Sequence, residues 1–126
     1  MTTVQPIVIT PDVSRLLVFY QQLLGAVQVR QFPADGPVFF VELRLGDSTL
    51  GLVSEADADL SASPRILLSV AVPDVDALLD RVAPLGGQVL GPPNDMPWGQ
   101  RVVHLRDPDG NPVNLTQNLT DADGSA

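Results

Sequence analysis

The sequence predicts an α+β fold: two tandem βαβββ modules forming a curved mixed sheet with a concave ligand-binding face. Three observations predict it. At an offset of 62 residues without gaps, Pro11-Asp12-Val13 matches Pro73-Asp74-Val75 and Leu16-Leu17 matches Leu78-Leu79. At the same offset Leu23, Gly25 and Val27 match Leu85, Gly87 and Val89, and Val41, Leu43, Arg44 and Asp47 match Val103, Leu105, Arg106 and Asp109. Strand, helix and turn signals then follow in the same order in both copies, which is the mark of a duplicated unit. Finally, 126 residues with 44% hydrophobic, 17% charged and no Cys describe a globular chain whose core needs no disulfide. The expected organisation is one domain over residues 1–126, with modules at 4–54 and 65–117, a linker at 55–64 and a frayed tail at 118–126.

The elements are justified in order. Val4–Ile9 and Arg65–Val72 are short apolar, β-branched runs ending before Pro and read as strands. Asp12 and Asp74 stand where a helix N-cap would. Val13, Leu16, Leu17, Tyr20 and Leu24 have the spacing of one buried helical stripe, repeated as Val75, Leu78, Leu79 and Val82. Gly25 and Gly86-Gly87 are the stops, with Pro84 near the second helix end. Three strands follow each helix: Ala26–Phe32, Val38–Leu45 and Thr49–Ser54, then Gln88–Leu90, Gln100–Arg106 and Pro112–Gln117. Gly46-Asp47 and Asp109-Gly110-Asn111 are the tight turns between the last two strands of each copy. The acidic linker residues Glu55, Asp57 and Asp59 read as a solvated face.

Composition limits the partners. Seven basic against fifteen acidic side chains give a net charge of −8, which argues against nucleic acid and anionic membranes. An acidic field raises the local concentration of cations. No stretch approaches the about 20 apolar residues of a membrane span. The start of the chain lacks the basic and apolar regions of a signal peptide, so a cytoplasmic protein is expected.

Alternation sorts the strand faces. Phe39, Val41, Leu43 and Leu45 belong against the helix, leaving Phe40, Glu42 and Arg44 on the concave side. In the second copy Val103, Leu105, Val113 and Leu115 take the helix side, and Val102, His104, Arg106, Pro112, Asn114 and Thr116 the other. Gln5, Ile7 and Ile9, with Leu67, Ser69 and Ala71, also fall on the concave side. Arg44 and Arg106 are expected to pair with Glu42. Trp98, the sole Trp, lies in the Pro- and Gly-rich stretch 91–99, where it either stacks on a planar or cationic ligand or plugs the end of the sheet.

The segment Pro97-Trp98-Gly99-Gln100-Arg101 through Asp107-Pro108-Asp109-Gly110-Asn111-Pro112-Val113-Asn114-Leu115, with Pro11-Asp12, Phe19-Tyr20 and Leu24-Gly25, resembles the vicinal-oxygen-chelate superfamily. That group contains glyoxalase I, extradiol dioxygenases, fosfomycin-resistance proteins and bleomycin-binding proteins, and the resemblance spans residues 4–117. Metal-dependent members bind a divalent ion from the first and last strand of each module. Carried over, those positions are Gln5, Gly51 (Leu52 if the hairpin slips by one), Leu67 and Asn114. Only Gln5 is a familiar ligand type, so no metal and no other cofactor is expected. The lone His104 does not make a metal cluster.

The resemblance is strongest to the metal-free, bleomycin-resistance-type binding proteins. It implies a homodimer that sequesters an aromatic, cationic antibiotic or metabolite. Trp98 would stack with Phe40 or Phe32, and Gln5, Glu42, His104 and Asn114 would line the site. Phe39 is also a candidate, though alternation assigns it to the core. The alternative is an enzyme of the superfamily, a lyase, isomerase or dioxygenase, either metal-dependent or using His104 and Glu42 as acid and base.

Overall fold

The structure, a computed structural model, describes residues 4–64 and 66–119. The chain divides into two compact units, with the boundary between Ser61 and Ala62 inside the expected linker. The expected α+β class is what is found: each unit carries one mixed sheet and one helical segment.

In the first unit, β1 (Ile7–Thr10), α1 (Val13–Leu24), β2 (Val27–Phe32), β3 (Phe40–Leu45) and β4 (Ser48–Ser54) follow in the expected order. The sheet order is β1-β4-β3-β2, with β1 parallel to β4 and the other pairs antiparallel. β1 starts later than expected because Pro6 has no N–H to give the ladder; its carbonyl still accepts from Gly51 N at 2.9 Å. Asp12 caps α1, its Oδ1 accepting from Arg15 N at 3.1 Å, and Gly25 ends it with a φ of 73°.

The buried stripe of α1 is Val13, Leu16, Phe19, Tyr20 and Leu23, so Leu17 and Leu24 yield their expected places to Phe19 and Leu23. Residues 16–20 are apolar without interruption. Periodicity alone therefore left the stripe free to rotate, and the two large rings took the core, packed edge-to-face at 5.1 Å. Val41, Leu43, Leu50 and Leu52 form the buried side of the sheet. Phe39 is a correction: it precedes β3, outside the pleat that alternation assumed, and is 54% exposed.

The second unit holds β5 (Leu68–Ala71), a helical segment, β6 (Gln88–Val89), β7 (Asn94–Asp95), β8 (Gln100–Arg106) and β9 (Pro112–Asn118). Its order is β5-β9-β8-β6, again with the first strand parallel to the last. β7, which the sequence did not announce, adds an antiparallel pairing on β8. The segment expected as one helix is a 3-10 turn (Asp76–Leu78), a single α turn α2 (Leu79–Val82) and a second 3-10 turn (Ala83–Leu85). Pro84 lacks the N–H that would continue the α ladder and its ring would clash with the carbonyl of Asp80, so the helix cannot run on regularly. Only Val75 and Val82 of the expected stripe are fully buried. They share the core with Val103, Leu105, Val113 and Leu115. Arg65, at the start of an expected strand, and residues 120–126 of the expected tail lie outside the described residues.

Candidate functional site

On the face of the first sheet turned away from the buried Val41 and Leu43, strand register lines up one transverse row: Arg30 on β2, Glu42 on β3, Gly51 on β4 and Ile7 on β1. Phe32 pairs with Phe40 two register positions along, on the same face. A register irregularity in β2 between Gln28 and Arg30 brings Arg30 opposite Glu42.

Glu42 is the centre of a hydrogen-bonded group. Its Oε2 accepts from Gln5 Nε2 at 2.6 Å, and its Oε1 accepts from Arg30 Nε at 3.1 Å. The same Gln5 amide donates to Thr49 Oγ1 at 3.0 Å. The expected pairing of Glu42 with Arg44 is therefore corrected: Arg30 meets the carboxylate, and Arg44 stands opposite Val27 and Thr49, two register pairs further along the sheet. Within its own unit Arg106 donates to the Gly110 carbonyl at 3.1 Å. Sequence reasoning missed Arg30 and Thr49. Arg30 lies two residues before Phe32 and so shares its face, a signal that alternation could have supplied.

Gly51 is buried, and a Cβ placed on it would stand 2.8 Å from Phe40 Cε1 and 3.2 Å from Ile7 Cγ1. The Phe40 ring thus lies in the hollow left by the missing side chain, beside Glu42.

The second sheet has the matching row His104 on β8, Asn114 on β9 and Ser69 on β5. His104 is exposed, and its Nδ1 meets Asn114 Oδ1 at 2.6 Å. With an amide oxygen as partner, Nδ1 is the donor. Register also resolves the hairpin: His104 pairs with Asn114 as Glu42 pairs with Gly51, so Gly51, not Leu52, is the counterpart of Asn114.

Trp98 is 68% exposed, which removes the plug role within its own unit, and its Nε1 donates to Gln100 Oε1 at 3.0 Å. The loop that carries it is clamped by Arg101. Nε and Nη2 of Arg101 reach the two Asp95 oxygens at 2.8 and 3.3 Å, and Nη1 reaches Asp76 Oδ2 at 2.6 Å. The hydrogen bonds from Arg101 hold the Asp95 carboxyl below its ordinary value, outweighing the opposing effect of desolvation, and the Arg101 charge adds to them. Hydrogen bonding to Asp95, with the charges of Asp76 and Asp95, raises the guanidinium in turn. Residues 76, 95 and 101 share no sequence pattern that could have announced this clamp.

The metal-ligand positions do not fit a divalent ion. Gln5 is a neutral amide whose nitrogen is tied to Glu42 and Thr49, leaving only its oxygen as a ligand atom, and the Asn114 oxygen is taken by His104. Leu67 offers hydrocarbon, and the space a ligand at position 51 would need is filled by Phe40. Two neutral amides supply no charge to offset a dication. Among the described residues, no three His, Cys, Asp or Glu are grouped so as to hold a metal ion.

Known proteins resemble this chain along most of its length. The model of the Glyoxalase/Bleomycin resistance protein/Dioxygenase superfamily matches residues 3–115. The protein CFP32 of Mycobacterium bovis and Mycobacterium tuberculosis, provisionally named a glyoxylase, is 32% identical over 110 residues, 86% of this chain. The match covers 42% of CFP32, so this chain spans less than half the length of those relatives. A glyoxalase/bleomycin resistance protein/dioxygenase family enzyme from Burkholderia phytofirmans superposes with a TM-score of 0.77 at 21% identity, covering 91% of this chain and 97% of that one. The bleomycin resistance determinant encoded on the transposon Tn5 gives a TM-score of 0.69 at 22% identity, covering 95% of this chain and all of that one. At these identities the two structures speak to the fold alone.

Proposed function

We propose that this chain, which belongs to the Glyoxalase/Bleomycin resistance protein/Dioxygenase superfamily, is a metal-free binding protein that sequesters an aromatic, cationic small molecule. The observation that carries this reading is the Phe40 ring over Gly51: an aromatic surface stands where a metal ligand would have to be. The likeness in fold to a bleomycin resistance determinant supports a protective role against an antibiotic or toxic metabolite. Phe40, Phe32 and Trp98 supply ring contacts, Glu42 and the net charge of −8 favour a cation, and Gln5, His104 and Asn114 give polar contacts. One family model running through both units supports treating them as a single ligand-binding domain. The protein acts as a cytoplasmic homodimer.

Native mass spectrometry of protein isolated without chelators tests the reading. The expected species is a dimer carrying an organic adduct and no divalent ion. One tightly held divalent ion per chain would overturn it.

A second reading, an acid–base enzyme, is favoured by one observation: Asn114 holds the exposed His104 through Nδ1, leaving the other ring nitrogen outside that bond. Turnover of a co-purified compound that His104→Ala abolishes while binding persists would establish it in place of sequestration.

A further inference from the structure

We propose that Glu42 is the docking point for a planar amidinium or guanidinium attached to an aromatic ring, and that Arg30 is a resident stand-in that leaves when such a cation binds. This deepens the binding reading and rests on it for the choice of sheet face.

The two contacts of the Glu42 carboxylate are unequal. The Glu42 side chain is 14% exposed, and one of its oxygens is held at 2.6 Å by Gln5, whose amide is itself fixed by Thr49. The other oxygen is met at 3.1 Å by Arg30 through Nε, from a side chain 72% exposed. Arg101, elsewhere in the chain, shows the alternative arrangement, a fork onto both oxygens of Asp95 with a further bond to Asp76. Arg30 makes no such fork. A single contact from a solvated side chain contributes little and exchanges readily.

What Arg30 vacates is not a neutral position. A largely buried carboxylate left without a cation is costly, so a ligand that displaces Arg30 must bring its own charge. A flat cation can donate to the oxygen that Arg30 now occupies and lay a second N–H toward the other, which still has a lone pair beside its bond from Gln5. The same face supplies the apolar half of the site: Phe40 lies two residues from Glu42 along β3, about 7 Å away, with Phe32 as its cross-strand neighbour. Gly51 lets the Phe40 ring lie beside the acid, so ring and cation of one small molecule reach both. A neutral isostere gains the ring contact but strands the charge. The device therefore selects by charge as well as by shape.

Benzamidine and its uncharged counterpart benzamide are the probes, titrated by calorimetry and by ¹⁵N NMR of the arginine Nε–H groups. Benzamidine is expected to bind at least tenfold more tightly than benzamide and to shift the Arg30 Nε–H resonance, which benzamide leaves in place. Arg30→Gln, at an exposed position, should tighten benzamidine several-fold and leave benzamide unchanged. Glu42→Gln should erase the difference between the probes. Equal affinities, no binding of either probe, or a loss of benzamidine affinity in Arg30→Gln would overturn the proposal. Should Glu42→Gln not fold, the Arg30→Gln arm decides alone. Organic adducts found by native mass spectrometry would stand whatever these probes do, so the failure of this inference and of the sequestration reading are separable.

Discussion

A buried glycine in the middle of a strand invites the question of what a side chain there would displace. Gly51 needs no left-handed backbone, so the substitution Gly51→Ala is not opposed by dihedral strain, and reducing the freedom of the unfolded chain favours Ala by about 0.4–1 kcal/mol. The Phe40 ring opposes it, because the new methyl would sit 2.8 Å from Cε1. Overpacking of this kind costs about 1–3 kcal/mol, so the net effect expected is a loss of stability. A double-mutant cycle by denaturant unfolding checks the cause: in a Phe40→Ala background, Gly51→Ala should be neutral or stabilising. An equal loss in both backgrounds would mean that the ring is not what fills the hollow. At this scale the sequence was informative about identity and silent about contact. Gln5, Phe40 and Glu42 were assigned to one face by alternation and are found together; alternation could also have put Arg30 on that face, but its place opposite Glu42 comes from a register irregularity that no residue type advertises.

Elements were legible where the local signal was redundant. The first helix had a cap, a stripe and a glycine stop that agreed, and it formed over 12 residues; the second had the same cap residue but a proline inside it, and it broke into short turns. Asp12→Ala should accordingly cost about 1 kcal/mol, the usual value of an N-cap. Asp74→Ala, whose carboxylate reaches Ala77 N only at 3.3 Å over a 3-10 turn, should cost less; paired thermal melts would rank them. β7 was not legible, because two residues in a Pro-rich stretch become a strand only through their partner β8. The clamp that ties this stretch down has a pH signature. Since Arg101 depresses Asp95 below its ordinary value of 3.8, the carboxylate form, and with it the clamp, is complete above that pH and is lost as pH falls below it. Trp98 fluorescence and amide exchange over residues 91–99 should hold steady from pH 7 to about 4.5 and change below about pH 3.8. In Arg101→Met the step should vanish, with exchange already fast at neutral pH.

The whole molecule turns on what a duplicated sequence can do with so few residues per copy. The repeat at an offset of 62 told the fold class and, β7 apart, the βαβββ succession along both halves, because hydrophobic periodicity, turn residues and spacing are written locally and twice. The site was less legible, since it depends on what side chains on separate strands do with one another. The Gln5 amide turning to Glu42 and the Phe40 ring settling over Gly51 are outcomes of packing, not of pattern. Size supplies the last expectation. The units comprise 61 and 65 residues, and a chain of about 60 residues buries only about 60% of its unfolded surface, which leaves it marginal without disulfide or metal. Neither unit has a cysteine to compensate. Unfolding is therefore expected as one cooperative transition, with equal calorimetric and van't Hoff enthalpies. Phe19→Ala in the first unit and Leu105→Ala in the second each empty a fully buried position, at a cost of about 2–5 kcal/mol. Both should move that single transition. Two resolved transitions, each answering to only one of the substitutions, would mean that the halves fold independently and that a ligand need engage only one of them.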